Sequence, residues 1–355
     1  MKTFHQLALG VIVLLVSFHS PVAARPVEWN EAAFDNKPEA GKPYLARETK
    51  DLSRAQSVIG QTTFYEAQEK DTFLDVARYY SLGHNEIVDA NPGVDEWVPP
   101  PGQILLLPTE FVLPDTSYTG IKVNIPEMRL YYFQAFSPGS AMVVTYPVGL
   151  GRDEWRTPEG KFKVRGKTFN PTWVLPESIK AEHRRMGKPA PDFIAGGAPD
   201  NPLGHHRLEL TLGLYAIHGT NIPWGVGMEV SHGCVRLYPE DIERLFELIP
   251  VGTVGEFLYQ PVKVGARDGR IYLEVHKDIY SLRPGLYQEA QRLIDKNGWR
   301  DKVDMRRVGQ VVQEQSGVAI DVTLDSGNDL PEENLREIRP RTASVQRPPV
   351  KAAQD

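Results

Sequence analysis

The chain has 355 residues, with 40 basic and 46 acidic side chains and a formal net charge of -6. That mild acidity, without any block of basic residues, leaves no electrostatic footprint for nucleic acid, so no nucleic-acid partner is expected. The length allows two domains with tails, and 29 prolines with 30 glycines favour a turn-rich, mainly β protein over a helical bundle.

The amino terminus reads MKTFHQLALGVIVLLVSFHSPVAARPVEW. Lys2 precedes an apolar run from Leu7 to Phe18, and the small residues of Pro21-Val22-Ala23-Ala24 come before Arg25. This is the pattern of a secretory signal peptide over residues 1–24, cut near Ala24. The run is short for a membrane span, which takes about 20 apolar residues. No cysteine follows it for lipid attachment, and no later stretch is long enough to span a bilayer. The mature protein is therefore expected to be soluble and exported.

Residues 25–60 are polar and without sustained period, and read as a linker. A compact unit follows at 61–109. Asp71 or Thr72 can cap a short helix carrying Phe73, Val76, Ala77 and Tyr80 at helical spacing. Asn85 can cap a second, with Ile87 and Val88, ending at Asn91-Pro92-Gly93. Pro101-Gly102-Gln103 forms a turn before a closing strand at 104–107. A strand–helix–helix–strand unit of about 45 residues has a marginal core, so its apolar positions are mainly structural.

From Ile121 onward the pattern is one of strands: IKVNI, RLYYF and AMVVTYPV around Pro138-Gly139, GKFKVRG after the turn at Thr157-Pro158-Glu159-Gly160, then LYAIHG, TVGEFLY and IYLEV. Gly149-Leu150-Gly151 lacks the third glycine and the following helix of a phosphate loop. One amphipathic helix interrupts the strands. Ile242, Leu245, Phe246 and Ile249 fall at i, i+3, i+4, i+7, with Pro239 in the first turn and acidic Glu240 and Asp241 beside it. We expect a β-rich domain at 117–262, a helical extension at 263–325 with helices over 286–296 and 305–315, and a disordered, proline-rich tail at 326–355.

Cys234 is the only cysteine in the chain. In an oxidising compartment it has no internal partner, which marks it as a candidate reactive thiol. It stands in VSHGCVRL, just before the helix, and His218 lies upstream at the end of the strand in YAIHGTN. A strand end and a pre-helix loop are places where a rigid frame displays reactive groups. A thiol of pKa about 8.5 is only a few per cent ionised at neutral pH, so an imidazole base would help it. The larger gain comes from donors to the oxyanion formed on an attacked carbonyl, each worth about 2.7–4 kcal/mol. The amides of Gly233 and Cys234, with His232, are candidates for that task. Arg236 offers a fork suited to a carboxylate. Taken singly, Ser231 reads as a turn cap and Arg236 equally well as a surface partner; together these residues resist a purely structural explanation.

The constellation IHGTNIPWGVGMEVSHGCVRL, with the supporting TPEGKF segment at 157–162, resembles the L,D-transpeptidases with a YkuD-type domain over about 117–260. The compact unit resembles the lysin motif (LysM), through Asp71-Thr72, Ala77, Tyr80, Ile87, Ala90-Asn91-Pro92 and Pro101-Gly102-Gln103 to Pro108. It departs from that motif at Lys70 and in the inserted EWVPP. The resemblances imply a mainly β fold, a YkuD-type domain with a few helices preceded by a βααβ LysM unit. They imply a periplasmic enzyme that acts on peptidoglycan stem peptides and glycan strands and transfers an acyl group to a second stem or to a lipoprotein lysine. Cys234 would be the nucleophile and His218 the base. His232, Gly233 and Ser231 would shape the oxyanion site, and Arg236, Gly219, Trp224 and Asn170 would bind substrate. Neither cofactor nor metal is implied. Zinc ligation by His205, His206, His218 and His232 is a rival, but HExxH and a close cysteine pair are both missing. Other rivals are a carboxypeptidase or lipoprotein-detaching hydrolase on the same fold, and a non-catalytic wall-binding protein.

Overall fold

The computed structural model describes residues 44–45, 49–50, 56–137 and 140–324. The expected signal segment, most of the linker, the Pro138-Gly139 turn and the expected tail lie outside these residues. Among the described residues no helix is long and apolar enough to cross a membrane.

The compact unit has the expected order. The strand Thr63–Glu66 pairs antiparallel with Ile104–Leu107, and helices α1 (Phe73–Tyr79) and α2 (His84–Ala90) lie between them in sequence. Thr72 caps α1 by accepting a bond from the Asp75 amide at 3.2 Å. Asn91 then ties the end of α2 to the closing strand. Its Nδ2 donates to the Ile87 and Leu106 carbonyls, and its Oδ1 accepts from the Leu106 amide. Two local expectations change. Gly83, not Asn85, is the N-cap of α2, because the Glu86 carboxylate turns back to accept the Gly83 amide. Val58–Gly60, read as the end of the linker, is a strand paired with Glu110–Val112.

The main sheet has ten strands among the described residues. Its spatial order is Tyr44–Leu45, Ser140–Pro147, Arg129–Ser137, Gly120–Asn124, Val254–Leu258, Gly160–Phe169, His206–Leu210, Ala216–His218 and Val235–Arg236, with Thr49–Lys50 also paired to Ser140–Pro147. Most neighbours are antiparallel. The exceptions are Gly120–Asn124 with Val254–Leu258, and Ala216–His218 with Val235–Arg236. Between Gly160–Phe169 and His206–Leu210 the chain makes an excursion that carries α3 (Glu177–Arg185) and a short hairpin, Trp173–Val174 with Phe193–Ile194. Sequence reading missed α3, since Ile179 is its one buried apolar residue.

Helix α4 (Pro239–Leu248) buries Ile242 and Leu245 against the sheet, with Ile249 just beyond. They join Leu208, Leu210, Ile217 and Val235 in one core. The expected helical extension begins instead with strands. Val262–Arg267, Arg270–Val275 and Ile320–Asp321 form a three-stranded sheet, covered by α5 (Leu286–Lys296) and α6 (Met305–Glu314) around a core of its own. It is fastened to the main sheet by a buried cluster in which Lys263 Nζ lies 2.8 Å from Glu127 and 2.6 Å from Glu274.

The helix pair is packed on the sheet domain. Glu86 and Arg129 form a bidentate buried pair with both bonds at 2.7 Å. Arg78 grips Glu240 of α4, and the Tyr238 hydroxyl donates to the Leu82 carbonyl. The amides of His84 and Asn85 donate to the carbonyls of Val226 and Gly227.

Candidate active site

The strand register assembles the site. His218 pairs with Arg236 on one side and with Arg207 on the other. Two residues before Arg236, just ahead of the strand Val235–Arg236, stands Cys234, on whose thiol the Ala216 amide acts. Side chains alternate across a strand. Ile217 and Val235 therefore enter the core beside α4, while His218, Arg236, Arg207 and Cys234 share the opposite face.

His218 is 3% exposed. Its Nδ1 lies 2.7 Å from the Gly219 carbonyl oxygen. A carbonyl only accepts, so Nδ1 carries the proton and Nε2 keeps a lone pair. Burial holds the imidazole down at about 3, helped by the positive charges of Arg236 and Arg207 and opposed by the Gly219 carbonyl. Burial also pushes the Cys234 thiol up, against the Ala216 amide and the two arginines. The resting pair is thus a neutral thiol and a neutral imidazole, not an ion pair.

The SHGC loop is held by its own side chains. Ser231 Oγ donates to the Cys234 carbonyl at 2.6 Å and accepts the Gly233 amide at 3.0 Å. Gly233 has φ +101°, and a Cβ there would meet a ring carbon of Tyr215 at 2.6 Å, so only glycine fits. Thr157, from the TPEGKF segment, donates to the Gly233 carbonyl at 3.0 Å and accepts the Gly151 amide at 3.1 Å. Tyr280, beyond the sheet domain, accepts the Thr157 amide and donates to the Gly151 carbonyl.

These contacts revise several expected roles. The Gly233 amide is committed to Ser231 and is not a free oxyanion donor. No described residue accepts the Cys234 amide, which leaves it as the available backbone donor. His232 turns to the α3 excursion. Its Nε2 lies 2.6 Å from Glu182, whose carboxylate also binds Arg152, and Trp155 packs against the ring. The His232 and Arg152 bonds hold the Glu182 carboxyl down at about 2. His232 is a latch between the loop and α3. Gly219 acts through its carbonyl; its Cα faces Ile242 of α4, away from the thiol. Asn170 pins the neck of the excursion, with φ +49° and its Oδ1 2.7 Å from His205 Nδ1. It lies next to a cleft of about 650 Å³ on the α4 face, lined by Phe169, Asn201, His205, His206 and Glu243. Trp224 is 59% exposed on the turn at Pro223–Gly225.

The four histidines of the zinc reading do not converge. His206 packs on Phe246 of α4, on the face opposite His218, and His232 is bound to Glu182. The cluster with ligand-like spacing among the described residues is Glu127, Glu274 and His276, and Lys263 Nζ is in contact with both carboxylates.

Sequence reasoning missed Arg207. Arg207-Leu208-Glu209-Leu210 alternates as a half-buried strand should, but no local signal says that His218 is its partner. Glu182, Arg152 and Tyr280 were missed for the same reason.

The YkuD model of the L,D-transpeptidase catalytic domain matches residues 118–264. "Probable L,D-transpeptidase YbiS" of Escherichia coli K12 is 44% identical over 205 residues, covering 57% of this chain and 65% of that protein, just under two thirds of its length. The similarly named YcfS of Escherichia coli K12 is 35% identical over 278 residues, covering 75% of this chain and 85% of the relative. ErfK/SrfK of Salmonella typhimurium is 36% identical over 279 residues, covering 75% and 88%. The chain belongs to the L,D-transpeptidase family.

Proposed function

We propose that the protein is a periplasmic L,D-transpeptidase acting on the tetrapeptide stems of peptidoglycan. The observation that carries this reading is the lone thiol, Cys234, on one sheet face with an imidazole whose open nitrogen is Nε2. Cys234 Sγ attacks the carbonyl carbon of the third stem residue, a diaminopimelate, as its proton passes to His218 Nε2. The Cys234 amide donates to the oxyanion. His218 then protonates the D-Ala nitrogen, the C–N bond breaks, and D-Ala leaves a thioester behind. An amine attacks the thioester, its proton passes by way of His218 to the departing sulfur, and the free thiol returns. The acceptor is the side-chain amine of a second stem, giving a 3-3 crosslink, or a lipoprotein lysine. Arg236 holds the donor's terminal carboxylate.

Two further parts belong to this proposal. The unit at 61–109 acts as a LysM module that engages glycan strands; its element order and the Asn91 tie support this. Residues 1–24 direct export to the periplasm, a reading supported by the apolar run after Lys2.

The test is mass spectrometry of the mature protein incubated with disaccharide-tetrapeptide stems, with Cys234→Ala as control. A tripeptide adduct on Cys234 with D-Ala release and dimers is the expected result for stem-to-stem crosslinking. Adduct and D-Ala release without dimers identify a lipoprotein lysine or water as acceptor. Absence of both adduct and release returns the protein to the wall-binding reading.

A further inference from the structure

We propose that Arg207 is a second carboxylate site of this centre, reading the free side-chain carboxylate of diaminopimelate in the donor stem while Arg236 takes the carboxylate of the departing D-Ala. This rests on the transpeptidase reading above.

Both guanidinium groups are partly buried and lack an acidic partner among the described residues, and the Nε atom of each is buried without an acceptor. The fold can satisfy a buried arginine when it has reason to. Arg129 is bound by Glu86, Thr145 and the Ser81 carbonyl. A buried cation without its counter-charge costs stability. Two such partly buried cations on either side of the base, one of them beside the thiol, point to anionic groups brought by the substrate.

The placement favours two carboxylates over one. Arg207 and Arg236 stand on the strands flanking that of His218, so their backbones are about 10 Å apart at ordinary strand spacing. A single carboxylate shared between them would lie over the His218 ring and cover Nε2. Two carboxylates, one to each side, leave Nε2 open to the thiol. The third and fourth residues of the donor stem carry such a pair. The D-Ala carboxylate is a short step from the scissile carbonyl, which suits Arg236 on the strand of Cys234. The diaminopimelate carboxylate lies at the end of a longer aliphatic chain, which suits the more distant strand of Arg207. Arginine's planar fork is suited to bidentate recognition, and lysine would be a poor substitute. The two charges also favour the neutral form of His218.

The experiment compares acylation and D-Ala release by the mature full-length protein on two donors. They are disaccharide-tetrapeptides with the side-chain carboxylate of diaminopimelate either free or amidated. Wild type should prefer the free acid by roughly 30-fold in kcat/KM, the factor expected for losing one buried charge pair. Arg207→Gln should lose that preference by slowing on the free acid alone. Arg236→Gln should slow both donors and keep it. Should the glutamine variant fail to fold, the two donors are compared with Arg207→Lys, which keeps the charge but not the fork, and an intermediate preference is expected. The proposal is overturned if wild type treats the donors alike, or if the Arg207 variants slow both equally with the preference intact. Failure of the transpeptidase reading would look different: wild type would release no D-Ala from either donor, and this proposal would fall with it.

Discussion

His218 Nδ1 sits 2.7 Å from the carbonyl oxygen of Gly219, the next residue along the chain. That contact fixes the tautomer and leaves Nε2 as the basic nitrogen. It also gives Gly219 its place in the site, as a backbone acceptor. Both members of the thiol–imidazole pair are uncharged at rest, because burial dominates each of them. Activation therefore requires proton transfer during attack.

This has a kinetic consequence. Thiols react as thiolates, so alkylation of Cys234 by iodoacetamide should accelerate with pH up to and beyond the ordinary thiol range of about 8.5. Burial pushes the Cys234 thiol above its ordinary range, which predicts continued acceleration beyond that range. Measuring the alkylation rate from pH 5 to 10 checks it. A plateau already reached below pH 7 would mean a resting thiolate–imidazolium pair and refute the neutral-pair account.

Ser231→Ala removes the hydroxyl that serves both the Gly233 amide and the Cys234 carbonyl. Ser231 is 1% exposed, so both groups lose a partner where water has little access. The expected cost is about 1–3 kcal/mol of stability. Acyl-adduct formation should fall roughly tenfold or more as the Cys234 amide loses its aim. Ser231→Thr keeps the hydroxyl and should restore most of the adduct. Equal loss in both variants would mean that the site tolerates no change of bulk there, and that the hydroxyl bonds are not the cause.

Glu182→Gln tests the latch between α3 and the SHGC loop. The Glu182 carboxylate is mostly buried between His232 and Arg152, and the neutral amide cannot reproduce both charge-assisted bonds. Hydrogen exchange at residues 177–185 should rise, and alkylation of Cys234 should change by a similar factor, while the cores around α4 and α5 stay protected. Unchanged exchange in α3 would show that the hairpin with Phe193–Ile194 holds the excursion by itself.

Residue pattern foretold some of these parts and not others, for a physical reason. α4 and α5 are legible because their apolar residues recur at helical spacing and each buries one face. Cys234 and His218 are legible because a single thiol in an SHGC loop and a histidine at a strand end are chemically marked. What stayed hidden depends on distant partners. α3 has little apolar period and is fastened through Glu182. Gly83 caps α2 because Glu86, held by Arg129 from another strand, turns back to it. Val58–Gly60 becomes a strand only because Glu110–Val112 returns beside it. Arg207 is an ordinary strand residue until register sets it against His218. Gly233, expected from sequence to lend its amide to the oxyanion site, is instead needed for its positive φ and its lack of a Cβ, since its amide is already taken.

Asp241 in the first turn of α4 supplies a pH-dependent prediction away from the thiol. It is 1% exposed, and neither carboxyl oxygen has a hydrogen-bond partner. Burial, with Glu240 nearby, pushes it up to about 8, against the pull of Arg244, Arg129 and Arg78. The unfolded chain should titrate it near about 3.9. Between those values the folded state holds a proton that the unfolded state releases, so this residue's contribution to stability is present below pH 4 and is lost as pH rises towards 8. Asp241→Asn cannot ionise and should escape that loss. Its melting temperature relative to wild type should rise steadily from pH 5 to pH 8, each kcal/mol being worth roughly 1–2 °C in a chain of this size. Melts at several pH values across that window decide the matter. A constant offset between the two proteins would mean that Asp241 keeps the same charge in the folded and unfolded states throughout, and that its two orphaned oxygens are solvated.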